Sequence, residues 1–168
     1  MTSMRARTTK QDQLKIASDV WRSMARYTIS RFQQGPHFAI LKELGLTPGH
    51  FKAIIALDPD EPRPMRAMAT SLSCDASTAT WLVDRLEERG LVERKAEPSD
   101  RRVKTVVLTP MGVDVRRRIL EALYEPPSDL LDVDRATLES LLEALSHLPV
   151  PDPPIWATSL SRDRPESS

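Results

Sequence analysis

The stretch Cys74–Pro110, CDASTATWLVDRLEERGLVERKAEPSDRRVKTVVLTP, changes its periodicity once, and that change narrows the folds open to the chain. Ala79, Leu82, Val83 and Leu86 recur at helical spacing and form one apolar stripe, while Ser77, Thr80, Trp81, Asp84, Arg85 and Glu88 lie largely off it. Asp75 fits an N-cap, and Gly90 fits the glycine that ends such a helix. Beyond Gly90, LVERKAE and RVKTVVL are β-prone runs joined by PSDR, with Pro98 stopping the first, a pattern that predicts a hairpin.

The flanking segments are helical by the same reading. Leu14, Ala17, Val20, Trp21, Met24, Tyr27, Ile29 and Phe32 predict a long amphipathic helix over 12–33, ending before the Gly35-Pro36 breaker. A first helix with that much apolar surface needs a partner. LTPGHFKAIIAL predicts a second helix, with Thr47 as N-cap and Pro48 in its first turn. DPDEPRP reads as a loop, and PMRAMATSL as a short helix facing Met65, Met68, Ala69 and Leu72 inward. SCD then makes a tight turn into the helix after Asp75. Thr109-Pro110 restarts a helix to about Tyr124, and DRATLESLLEALSHL predicts the last one. Residues 149–168, rich in Pro, Ser and charge, read as a flexible tail. Two short helices about a tight turn, followed by a hairpin, form the pattern of a winged helix-turn-helix. The expected fold is thus mainly α with a small β-hairpin wing.

Charge and chemistry narrow the function. The net charge is zero, which argues against a blanket polyanion binder, but its distribution is uneven. Residues 1–34 carry seven Lys/Arg against two Asp/Glu, and residues 119–168 carry three against ten, so local fields survive a neutral total. No run approaches the roughly 18 apolar residues of a membrane span. The basic N-terminus lacks the apolar segment of a signal peptide. A single cysteine, Cys74, cannot make an internal disulfide, and the composition suits a reducing cytoplasm. His37, His50 and His147 have no companions at ligand spacing, so neither a metal nor another cofactor is expected. No acid–base pair, nucleophile motif or phosphate-binding glycine loop points to an enzyme.

A helix entering a major groove presents its first residues to base edges, where small hydroxylated side chains approach closely and bring methyl groups near thymine. Ser77, Thr78 and Thr80 have that character, with helix capping as their alternative role. The unpaired N–H groups at the helix start would also favour phosphate. From Arg94 to Lys104 the hairpin carries Arg94, Lys95, Arg101, Arg102 and Lys104 against Glu97 and Asp100, a suitable set for phosphates and a narrow minor groove. Asp100 is placed to hold Arg102 extended. Arg85 either contacts phosphate or pairs with Glu88. Cys74 reads as a small turn residue rather than a redox sensor.

DASTATWLVDRLEERGLVERKAEPSDRRVKTVVLTPMG resembles the core of the MarR family of multiple-antibiotic-resistance-type transcriptional regulators. The matching residues are Asp75, Ser77, Thr78, Thr80, Leu82, Asp84, Arg85, Leu86, Glu87, Gly90, Leu91, Val92, Arg94, Asp100, Arg102, Leu108, Thr109 and Gly112. Trp81 departs from the pattern, since many relatives carry a polar or basic residue there. It either contacts a thymine methyl or sugar, or packs inward through a shifted register. The resemblance implies a homodimer built from the first and last helices, with Leu14, Val20, Trp21, Leu138, Leu141 and Leu145 in the interface. It divides the chain into a dimerisation helix (1–36), a DNA-binding lobe (37–110), C-terminal dimerisation helices (111–148) and the tail. It further implies a double-stranded DNA operator read by Ser77, Thr78, Thr80, Trp81, Arg85, Arg101, Arg102 and Lys104. A small-molecule effector would sit in a cavity lined from WRSMARY and FKAIIAL. The rival reading is a winged-helix module that has lost its DNA surface and binds a protein partner.

Overall fold

The computed structural model describes residues 9–97 and 100–149, Asp152 and Ala157, except the side chains of Gln33, Glu97, Asp100 and Arg101. The chain divides into two compact units, Met1–Gly35 and Pro36–Ser168.

The first unit contains α1 (Lys10–Gln34). It starts two residues before the expected Asp12, because Thr9 and Asp12 cap each other. The Asp12 N–H donates to Thr9 Oγ1 at 3.2 Å, and the Thr9 N–H donates to Asp12 Oδ2 at 3.1 Å. The Thr9 hydroxyl also donates to Asp12 Oδ2 at 2.6 Å, and that bond, followed by the one from the Thr9 N–H, holds the Asp12 carboxyl below its usual range. Leu14, Ile16, Val20, Trp21 and Ile29 are all exposed.

The second unit runs α2 (Pro36–Glu43), α3 (Pro48–Ala56), β1 (Arg63–Pro64), α4 (Met65–Leu72), α5 (Ala76–Glu88), β2 (Val92–Glu97), β3 (Asp100–Leu108), α6 (Pro110–Tyr124), α7 (Ser128–Leu131) and α8 (Arg135–Ser146). Its core gathers Leu41 of α2, Phe51, Ile54 and Ile55 of α3, Met68 of α4, Leu82, Val83 and Leu86 of α5, Val92 and Val106 of the strands, and Val115 and Ile119 of α6. The stripe expected on α5 is the stripe observed. The segment FKAIIAL sends Phe51, Ala53, Ile54, Ile55, Ala56 and Leu57 into this core. α6, expected with the dimerisation segment, packs Val115, Ile119 and Leu120 into the same core.

Three elements differ from expectation. Pro36, expected only as a breaker, opens α2: proline lacks an N–H that the first turn of a helix does not use. α2 buries only His37 and Leu41, too few anchors to make a periodic signal. The supposed loop before α4 ends in β1, whose Arg63 and Pro64 pair with Val106 and Thr105 on the outer edge of β3. Proline is tolerated there because an edge strand can do without one ladder donor. The sheet order is β1-β3-β2, all antiparallel, with a bulge between Ala96 and Glu97. The third addition is α7, a single turn. Of the expected flexible tail, only Pro149, exposed Asp152 and buried Ala157 fall within the described residues.

Candidate nucleic-acid interface

The turn between α4 and α5 is tight because Ser73 adopts a left-handed conformation at φ 52° and the Cys74 N–H returns to the Ala69 carbonyl at 3.1 Å. Asp75 then caps α5. Its Oδ1 accepts the Thr78 N–H at 2.9 Å and the Ser77 hydroxyl, and its Oδ2 accepts the Thr78 hydroxyl at 2.8 Å. These bonds, that of the Ser77 hydroxyl foremost, hold the Asp75 carboxyl well below the usual carboxylate range. The N–H groups expected to favour phosphate therefore share the start of α5 with an acidic group. A carboxylate already occupies that end, engages one of its N–H groups and adds a negative charge. The Thr80 hydroxyl donates to the Ala76 carbonyl at 2.7 Å. All three hydroxylated residues are exposed, so their capping bonds and an outward position coexist.

Trp81 is 56% exposed and does not turn into the core. Its ring lies against His50, with centroids 5.1 Å apart and planes tilted by 50°. His50 is itself buried and fixed. Its Nδ1 accepts the Thr47 N–H at 3.0 Å and lies 2.7 Å from the Thr47 hydroxyl, which puts the neutral ring's proton on Nε2. Burial, followed by the charge of Arg85, pulls the His50 pKa below its usual value, so the ring is neutral near pH 7. Of the two roles open to Arg85, the structure shows the pair with Glu88, at 3.0 Å.

The wing is fastened to α5 by Arg94. Its backbone N–H donates to Glu87 Oε1 at 3.1 Å, its guanidinium meets the same carboxylate, and Nη2 reaches Asp84 Oδ1 at 2.5 Å. Two helix carboxylates therefore grip one strand arginine, which corrects its place among the wing's DNA-facing cations. Lys95 likewise pairs with Glu93 at 2.6 Å. Nearer the tip, Arg102 and Lys104 are both exposed. The side chains of Arg101 and Asp100, and hence the expected Asp100–Arg102 contact, lie outside the described residues. At the wing's root the Thr109 hydroxyl donates to the Gly90 carbonyl at 2.6 Å. α6 starts so close to Leu91 that a Cβ on Gly112 would stand 1.8 Å from the Leu91 carbonyl oxygen.

Sequence reasoning missed the Asp84–Arg94–Glu87 clamp and the Thr47–His50 bond. The signals were present: two acids three residues apart on α5 followed by an arginine in the first strand, and a Thr-x-x-His where a capping box has Thr-x-x-Glu. Cys74 is partly exposed, and burial together with Asp75 pushes its thiol up, away from a reactive thiolate. Among the described residues, no group of His, Cys, Asp or Glu could hold a metal ion, and no helix is long and apolar enough to cross a membrane. The dimerisation candidates Leu14, Val20, Trp21, Leu141 and Leu145 are exposed, and Leu138 is half-buried.

An outward, hydroxylated helix start fixed beside a basic hairpin defines a winged helix-turn-helix protein of the DNA-binding class. A profile of the MarR family matches residues 46–104. A Thauera aromatica protein named for transcriptional regulation of the hcr operon is 31% identical over 134 residues, which cover 77% of this chain and 80% of that protein. Two solved structures share the fold. The transcriptional regulator Tm0710 from Thermotoga maritima gives a TM-score of 0.63 at 22% identity, covering 79% of this chain and 90% of that one. A variant of S. aureus MepR bound to an oligodeoxyribonucleotide gives 0.61 at 17%, covering 77% and 93%. The chain belongs to the MarR family and is a transcriptional regulator of that type.

Proposed function

We propose that the protein is a cytoplasmic homodimeric repressor that holds a pseudo-palindromic operator and releases it when a small-molecule effector binds. Each lobe (37–110) directs Ser77, Thr78, Thr80 and Trp81 to base edges in a major groove. Arg102 enters the adjacent minor groove, while Arg101 and Lys104 neutralise phosphates. Two-fold symmetry then asks for half-sites roughly 10–10.5 base pairs apart. The second copy would cover the apolar residues that α1 and α8 expose. An effector need favour one lobe spacing by only about 1–3 kcal/mol to change operator affinity about 5–150-fold.

The observation that carries this reading is the Arg94 clamp. It holds the cation-bearing hairpin at a set distance from the exposed start of α5, as simultaneous contact with two grooves requires. The test is selection of binding sites from random duplex DNA, followed by salt titration of the wild type and of Arg102→Ala. A specific complex with a steep salt slope is expected, weakened about ten-fold or more by the substitution with the dimer intact. An unchanged affinity overturns the minor-groove role of Arg102. Failure to select any site favours the protein-partner reading, to which the exposed Trp81 would then belong.

A further inference from the structure

We propose that this chain reads A·T base pairs through the thymine methyl group, and that Trp81 is the residue that senses the methyl. The proposal rests on the reading above that α5 enters the major groove, and it concerns what that helix recognises there.

The first two turns of α5 contain Ala76, Ser77, Thr78, Ala79, Thr80, Trp81 and Leu82, with no cation among them. The commonest specific contact in the major groove, a bidentate arginine or lysine on guanine O6 and N7, therefore has no donor here. Arg85, in the third turn, is engaged with Glu88. The hydroxyls do not replace it. Ser77 and Thr78 each donate their one hydroxyl hydrogen to Asp75, and Thr80 donates its hydrogen to the Ala76 carbonyl. A hydroxyl has a single hydrogen and two lone pairs, so these three side chains offer acceptors outward, and the two threonines add methyl groups. The Asp75 carboxylate adds a further acceptor at the same end.

Guanine, with two acceptors on its major-groove edge, is the wrong complement for these hydroxyls and the carboxylate. Adenine offers the N6 amino donor, and its partner thymine offers a C5 methyl beside the O4 acceptor. Trp81 supplies both counterparts for thymine, an apolar ring for the methyl and an indole N–H for an acceptor. At four residues from Ser77 it lies one turn further along the same face. It is also held in place beforehand. The buried His50 ring behind it is locked by Thr47, so the indole loses little freedom when it docks. Cytosine shares the amino donor but lacks the methyl, which makes the methyl the discriminating group.

The test uses the full-length protein and the duplex selected above. Each thymine is replaced in turn by deoxyuridine, which deletes only the methyl group. At one or more positions per half-site, the wild type should lose roughly four-fold in affinity, the value of one buried methyl. Trp81→Ala should bind thymine and uridine equally at that position, and Trp81→Phe should keep part of the preference. Tolerance of uridine at every position, or half-sites that demand guanine where α5 reads, overturns the inference while leaving the operator reading intact. Failure to select any site overturns both. The wild-type uridine series decides the matter even if a Trp81 variant is unstable.

Discussion

Helices α3 and α8 use similar residues to opposite ends. α3, PGHFKAIIA, buries Phe51, Ala53, Ile54, Ile55 and Ala56, whereas α8, RATLESLLEALS, buries nothing and leaves Leu142 70% exposed. Both are amphipathic on paper. The difference lies in what surrounds them: α3 is packed by α4, α5 and α6 of its own chain, while the leucines of α8 are left for another surface to cover. Apolar periodicity thus says that a helix has a face to hide. It does not say whether the partner is in the same chain. Under the proposed dimer, α8 and α1 are half-built elements and α3 is a finished one.

That contrast can be broken by substitution. The largest effect is expected for Ile54→Ala, which opens a cavity in the finished core and should cost about 2–5 kcal/mol in denaturant unfolding. Leu141→Asp with Leu142→Asp should instead leave the lobe's secondary structure in place. Its effect should appear in sedimentation as a dissociation constant raised about ten-fold or more. If the double variant sediments as the wild type does, α8 is not part of the interface. The smallest effect sharpens the comparison at the helix caps. Asp75 on α5 and Asp134 on α8 each accept the backbone N–H and hydroxyl of a threonine three residues on, and both have lowered pKa values. Because the folded values lie below the ordinary 3.8, each carboxylate stabilises its helix above about that pH. The contribution is lost as pH falls further, through the folded values. Asp75→Asn and Asp134→Asn should therefore be less stable than wild type at neutral pH and converge with it in acid, as followed by circular dichroism. A gap that persists in strong acid would show that something other than the carboxylate charge is at work.

The same division explains what the sequence made legible. The winged lobe announced itself because its signals are local and dense: an Asp cap, a four-residue apolar stripe, a terminating Gly90, a proline-stopped strand and Thr109-Pro110, all within about forty residues. α2, β1 and α7 were missed because two anchors, two residues and a single turn cannot establish a period. The hydroxyls of Ser77, Thr78 and Thr80 were identified as outward-facing, but which hydrogens they had already committed depends on the position of Asp75 and Ala76 in three dimensions. Arg94 was misread for a similar reason. A cation in a basic run looks like its neighbours until the two carboxylates of α5 are seen beside it. Whether Trp81 faces outward was also beyond the pattern, because helical spacing allowed both registers and only its 56% exposure in the folded chain decides between them.

The Arg94 clamp has one more consequence, for how such a protein changes over generations. Its anchor points on α5 are Asp84 and Glu87, in the helix's later turns, whereas the outward residues of its first turns run from Ser77 to Trp81. Under the proposed reading of those outward residues, the mounting and the lettering are therefore written at different positions of one helix. Substitutions in the lettering can retune which sequence is preferred while the spacing between helix and hairpin stays as it was. Lineages descended from one such lobe are free to diverge in vocabulary without having to re-engineer the frame that holds it.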